Sequence, residues 1–248
     1  MIWIIFIFIF SISTLINEGV STLDCEKQLT DSDECLKKLV YFTDWNLTFV
    51  QNEDDMVHHC KLVREKANCV REYKKCLHGL PREMFNLVSQ NSRQIISERC
   101  DTQQGRSQFL SHIRCIDDET SKLSGCLNKV IAMLQYTADQ VSGDEKEILT
   151  ASCCAAHYVF NCFVQGIDED CKHKTGLDTG PYLAEKINQM VAGVFDVACK
   201  NYPSIDACES QHPELMSHFH QLAGENFEKQ KVSILIPLMK IAHKIKYN

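Results

Sequence analysis

The 248-residue chain has little glycine (10) and less proline (5), and almost nowhere does it alternate apolar and polar residues over the length of a strand. All-β folds announce themselves by such alternation and by frequent turn residues, so this scarcity excludes a sandwich or barrel. An excess of positive charge is also lacking. Against 33 acidic side chains stand 26 basic ones, which removes the electrostatic footprint of a nucleic-acid binder. No Gly-x-Ser-x-Gly elbow, phosphate-cradling glycine loop, His-Glu-x-x-His pair or EF-hand loop occurs. The stretch "GIDEDCKHKTG" sets acids two apart but has neither the glycine nor the terminal glutamate at calcium-loop offsets. The role expected is therefore binding or structural and not catalytic, with no catalytic, cofactor-binding or metal-ligating residue and no cofactor.

What the chain does have is cysteine, fourteen of them: Cys25, Cys35, Cys60, Cys69, Cys76, Cys100, Cys115, Cys126, Cys153, Cys154, Cys162, Cys171, Cys199 and Cys208. All follow an apolar run from Ile2 to Ile16 that ends in small and polar residues. The run is shorter than the ~20 apolar residues of a membrane helix. Residues 1–21 thus read as a secretory signal peptide, and 22–248 as one cysteine-rich helical domain in an extracellular, secreted protein. Losing Glu18 with the signal peptide narrows the acidic excess from seven to six. Export meets an oxidising environment, so up to seven disulfides are expected, with a connectivity that spacing does not decide. Asn46 opens the one Asn-x-Ser/Thr sequon, Asn46-Leu47-Thr48, and is the expected glycan acceptor.

Apolar residues recur at helical spacing through most of the chain. Met56, Cys60, Val63, Ala67 and Val70 step by four and three, as do Leu183, Ile187, Met190, Val194 and Ala198. Pro81 suits the first turn of a helix whose one side carries Phe85, Val88, Ser92, Ile95 and Ile96. Leu110 to Tyr136 reads as helical with a break near Gly125, and Glu145 to Phe163 as a further helix. The fold class expected is all-α, a disulfide-crosslinked bundle of about six to nine helices. A loose internal echo sets Cys60, Cys69, Cys76, Cys100 and Cys115 against Cys154, Cys162, Cys171, Cys199 and Cys208, with gaps of 9, 7, 24 and 15 against 8, 9, 28 and 9. It raises two related units divided near residues 142–143, beside the simpler reading of one continuous body.

The stretch Cys153-Cys154-Ala155-Ala156-His157 resembles the Cys-Cys-x-x-His-Asp-x-Cys helix of secreted calcium-dependent phospholipases. That chemistry needs an aspartate after the histidine and a glycine-rich calcium loop upstream. Here Tyr158 follows His157, and "ADQVSGDEKEILTA" carries one glycine. Adjacent Cα atoms sit ~3.8 Å apart, below the ~4.4 Å at which ordinary disulfides begin, so Cys153 and Cys154 should not pair with each other. On a helix they point ~100° apart, and each should reach a different neighbour. By the same arithmetic Cys69 and Cys76 share one side of their helix and Cys60 another, tying it on two sides. The spacings lack the short Cys-x(2–4)-Cys pairs of zinc sites. His212, His218 and His220 read as a surface group, His58-His59 as incidental, and His157 as a core or boundary residue.

The tail "KQKVSILIPLMKIAHKIKYN" joins an apolar stripe (Val232, Leu235, Ile236, Met239, Ala242) to Lys229, Lys231, Lys240, Lys244 and Lys246, with Pro237 expected to kink it. A last helix docked on the core explains it. The alternative is a membrane surface contact through residues 229–247, or a lipid-carrying role.

The order "HHCKLVREKANCVREYKKCLHGLPREMFNLV…ERC" followed by "SCCAAHYVFNCFVQGIDEDC…FDVAC" resembles arthropod secreted proteins of the 27 kDa hemolymph glycoprotein type, over residues 54 to 208. The resemblance implies an exported, helical, cysteine-rich glycoprotein of hemolymph and supplies no site residues. The early "ECLKKLVYF" is similar to nematode secreted cysteine-rich helical domains. The partner expected is an extracellular protein or a small apolar ligand, and no nucleic acid.

Overall fold

The computed structural model describes residues 24–39, 50–118, 120–142, 144–202, 204–224 and 232–245. The leader at 1–21, the sequon at Asn46, and Lys229, Lys231 and Lys246 lie outside the described residues. Among those described there is no strand. The helices are α1 (Cys25–Lys37), α2 (Glu53–Glu72), α3 (Gly79–Asp101), α4 (Gln103–Asp118), α5 (Thr120–Gln140), α6 (Glu145–Thr175), α7 (Thr179–Val191), α8 (Val194–Ala198), α9 (Ile205–Gln211), α10 (Pro213–Gly224) and α11 (Leu235–Lys244), with a 3₁₀ turn at Tyr73–Cys76 after α2.

Local chemistry sets the ends of the two helices that matter most. The Asn52 side chain accepts from the Asp55 N–H at 2.9 Å to start α2, and Asp144 accepts from Glu147 N–H at 3.0 Å to start α6. Acidic first turns (Glu53, Asp54 and Asp55; Glu145 and Glu147) complement the helix dipole. At the far end of α6, Gly176 adopts φ 73°, a left-handed cap that a side chain would strain.

Every cysteine is paired: Cys25–Cys76, Cys35–Cys69, Cys60–Cys100, Cys115–Cys171, Cys126–Cys162, Cys153–Cys199 and Cys154–Cys208. The doublet behaves as its geometry demands, one cysteine bonding beyond α8 and the other bonding α9. α2 is likewise tied on two sides, to α1 through Cys69 and to α3 through Cys60, while Cys76, in the 3₁₀ turn that follows it, makes a second bond to α1. α6, at 31 residues, is long and apolar enough to cross a membrane by length and composition. Four bridges to four segments make it the central strut of this bundle instead.

The bridges reveal an order that the expected echo missed. Cys25–Cys76, Cys35–Cys69 and Cys60–Cys100 form a nested clasp; Cys115–Cys171, Cys126–Cys162 and Cys153–Cys199 repeat it in the same order. The intervals between successive cysteines are 10, 25, 9, 7 and 24 in the first clasp and 11, 27, 9, 9 and 28 in the second. Cys60 therefore corresponds to Cys153, not to Cys154. A division at residues 142–143 would part the partners of Cys115–Cys171 and of Cys126–Cys162. The repeat instead turns over between Cys100 and Cys115. Cys154–Cys208 stands outside it and ties α9 to the strut.

Three further expectations need correction. No break occurs at Gly125, which lies inside α5 with open space where a side chain would go. The helical spacing read through Leu183, Ile187, Met190, Val194 and Ala198 is broken at Gly193, whose φ is 79°. There Asn91 of α3 donates to the carbonyls of Met190 and Ala192 at 3.2 and 3.3 Å, satisfying groups that the break leaves open. This break and a separate short α9 bring the number of described helices to eleven, of which nine run ten residues or more, matching the upper end of the range expected. Pro237 is the third residue of α11, where its missing N–H is one of the helix's open donors, so it starts the helix and does not kink it.

The apolar interior has three parts. The largest gathers Leu127, Val130, Met133, Cys153, Cys154, Cys199, Cys208, Met216 and Phe219 around the first half of α6. A second joins both clasps, because Cys60 and Cys100 of the first pack with Phe109, Ile113, Cys115, Ile167 and Cys171. The third seats α11 through Leu235 and Met239 against Tyr73 and Leu77. A buried polar clamp fastens this last contact. The Asp33 carboxylate accepts from the Ser233 N–H at 3.0 Å and from its hydroxyl at 2.6 Å, across 200 residues.

Candidate functional site

Where the two clasps meet, α3 and α7 pack side by side with α4 laid against them. The meeting leaves a cleft of about 280 Å³ walled by Ile95, Arg99, Phe109, Tyr182, Leu183 and Lys186, among others. The side chains arrive from three helices. Arg99 is held next to bridged Cys100 at the end of α3, and its guanidinium carbon lies 4.6 Å from the centroid of the Phe109 ring on α4. Lys186 of α7 sits 6.0 Å from the Tyr182 ring centroid. Each cation lies over a ring face, a placement favourable by roughly 0.5–2 kcal/mol.

Behind the two rings stand two buried histidines. His59 stacks on Phe109 with ring centroids 5.8 Å apart, and His112 stacks on Tyr182 at 4.1 Å while its Nδ1 lies 3.1 Å from the Thr179 hydroxyl. Burial, and after it the neighbouring Arg99 charge, push the His59 pKa down to about 3; burial lowers that of His112. Both rings are thus neutral at physiological pH, and the positive charge of the cleft belongs to Arg99 and Lys186. Burial also raises the Tyr182 phenol. Two acids face Lys186: Glu185 at 3.3 Å and Glu98 at 3.7 Å, the latter held on its other oxygen by Gln94 at 2.9 Å.

The residues singled out from sequence lie elsewhere. His157 Nε2 is 2.5 Å from the Tyr202 carbonyl, so that nitrogen carries the proton and donates, and the ring meets Phe195 edge-on. It holds the Tyr202 turn onto α6 beside Cys153–Cys199. His212, His218 and His220 do not converge, since each meets a different tyrosine (Tyr202, Tyr136 and Tyr158), and His220 pairs with Glu209 at 2.6 Å. Of the pair read as incidental, His58 is exposed and His59 is buried, stacked on the Phe109 ring of the cleft wall. A second, more open hollow of about 500 Å³ lies between the start of α6 and the Ala198–Tyr202 turn. Two acids line it, Asp144, already engaged in capping, and Glu145 beside Lys146.

Sequence reasoning missed Arg99, Phe109, Tyr182 and Lys186, because no local spacing joins residues on three helices. The one signal available was His59, three residues after Met56 and so on the apolar side of α2. Compared with protein-family models, curated proteins and solved structures, the chain matches none.

Proposed function

We propose that this is a secreted, extracellular glycoprotein of the hemolymph type that works by binding, without turnover chemistry, and that carries its glycan at Asn46. The observation that carries the reading is the complete pairing of fourteen cysteines, which leaves no free cysteine. Seven bridges belong to an oxidising environment. With every sulfur in a bridge, none is free to serve as nucleophile or metal ligand. Intact mass before and after reduction and deglycosylation tests it: a mature chain lacking the leader, a shift of fourteen hydrogens on reduction and one N-linked glycan are expected. Free thiols in the native protein, or calcium-dependent fatty acid release lost in His157→Ala, overturn it.

The lipid alternative meets a specific obstacle at the tail. Leu235, Met239 and Ile241 of α11 are buried, Lys240 pairs with Asp139 at 3.2 Å, and Lys244 donates to the Val141 carbonyl at 3.4 Å. A membrane contact through residues 229–247 would first have to lift this helix off α1 and α5. Vesicle flotation of the full chain and of a chain ending at Gly224 separates the readings, with flotation of the full chain alone favouring the membrane.

A further inference from the structure

We propose that α1 is a latch on the last helix that a dithiol opens: reduction of Cys25–Cys76 and Cys35–Cys69 undocks α1 and frees the start of α11, while the other five bridges hold the rest of the bundle. The device is independent of the binding reading above.

α1 has little apolar hold of its own. The two residues it buries fully are polar, Ser32 and Asp33, while Leu29 and Leu36 lie half-buried against the cluster of Tyr73, Leu77, Leu235 and Met239. The Ser32 hydroxyl meets no hydrogen-bond partner among the described residues, which counts against docking. The covalent ties supply what packing does not, and both are within reach of solvent: Cys25 is exposed, and Cys35, Cys69 and Cys76 are half-buried. In each of the other five bridges at least one sulfur is fully buried. A thiolate therefore attacks the ties of α1 first.

No cysteine follows Cys208, so α11 is held by contacts alone. Its start hangs on Asp33, whose carboxylate accepts from the Ser233 N–H and hydroxyl, while the Ser233 oxygen accepts in turn from the Leu235 N–H at 3.1 Å. Lys37, 3.6 Å from Asp33, rides on α1 and leaves with it. Farther along, Ile241 sits in the largest core cluster and Lys240 pairs with Asp139 of α5, which keeps its bridge Cys126–Cys162. Undocking α1 thus frees residues 233–239 and leaves the end of α11 in place.

The dithiol is the only other reactant. One of its thiolates attacks a sulfur of the bridge, the S–S bond breaks, and the leaving cysteine takes up a proton. The second thiol then resolves the mixed disulfide and the reagent departs oxidised, so that each bridge gains the two hydrogens the reagent loses.

The test treats the full-length, disulfide-intact protein with dithiothreitol under native conditions, alkylates the freed thiols, maps them and follows hydrogen exchange of the trapped species. Cys25, Cys35, Cys69 and Cys76 are expected to be alkylated before any other cysteine. In that species residues 233–239 should exchange roughly tenfold faster or more, while α6 stays within about twofold of the oxidised protein. Reoxidation in place of alkylation should restore the protection. The combined variant Cys25→Ala, Cys35→Ala, Cys69→Ala and Cys76→Ala should show the same pattern without reductant; where it fails to fold, the trapped wild-type species decides. Unchanged exchange of residues 233–239 in that species overturns the proposal, as does loss of α6 protection along with theirs, or another bridge opening first. None of these outcomes bears on the thiol count of the untreated protein or on the leader, on which the secreted-binder reading stands or falls.

Discussion

The two clasps share their wiring and differ in their surroundings. In the first, Cys25 is exposed and Cys35, Cys69 and Cys76 are half-buried; only Cys60–Cys100 is fully inside. In the second, five of the six sulfurs are buried, Cys162 alone being half-buried. The closed loops are nearly the same length, with separations of 51, 34 and 40 residues against 56, 36 and 46. Loop-closure entropy therefore treats the clasps alike, and any difference in what their bridges contribute comes from packing. The second clasp surrounds the strut α6 and gains a further bridge from Cys154. The first has its outer side covered by α11, held without any covalent tie by Asp33 and Ser233. One unit is a core with bridges inside it, the other a pair of helices laced at the surface.

Removing equivalent bridges tests this contrast with the largest expected effect. Loss of Cys25–Cys76 in the double alanine variant should cost about 2–5 kcal/mol. Loss of Cys115–Cys171 should cost about 1–2 kcal/mol more, because two buried sulfurs leave a cavity. The entropic term alone predicts a difference of only about 0.1 kcal/mol, so equal losses in denaturant titrations would break the contrast.

Acid sharpens it next. His59 precedes Cys60, and its counterpart before Cys153 is Ser152, whose hydroxyl donates to the Ile148 carbonyl at 2.8 Å. Above about pH 6.5, His59 is neutral folded and unfolded, and its full contribution is present. Below that the unfolded chain takes up a proton that the folded one refuses until about pH 3. Stability should therefore fall with a slope of about 1.4 kcal/mol per pH unit from His59, roughly 2 kcal/mol by pH 5, with His112 adding in the same direction. His59→Gln should flatten that slope, and an unchanged slope would show the sensitivity to lie elsewhere.

Asp33→Asn should cost about 1–3 kcal/mol, since it removes an acceptor from a buried cluster. Hydrogen exchange should show lost protection in Leu235–Lys244 while amides of α6 keep theirs. The mildest perturbation is limited reduction with trapping. Cys25–Cys76 and Cys35–Cys69 should open before any bridge of the second clasp, because a thiolate must reach the sulfur.

Much of this was legible in the sequence. Helical spacing set the class, and the short Cα step at Cys153-Cys154 sent the two cysteines to different partners. The repeat was half visible: aligning Cys60 with Cys154 and leaving out Cys25 and Cys35 hid a six-cysteine register that fits better throughout. A local pattern offers no reason to choose between the members of a doublet, since both lie on buried parts of one helix. Gly125 misled because a glycine in a helix costs only about 1 kcal/mol, which packing of α5 against α6 overrides. The cleft was not legible at all, its cations being brought together only by the docking of α3 on α7.

Peptide mapping of the unreduced protein tests the repeat most directly. The account predicts Cys60 linked to Cys100 and Cys153 linked to Cys199, with Cys154 linked to Cys208. Finding Cys153 joined to Cys208 and Cys154 to Cys199, or a crosslink between a cysteine before residue 101 and one after it, would contradict the account.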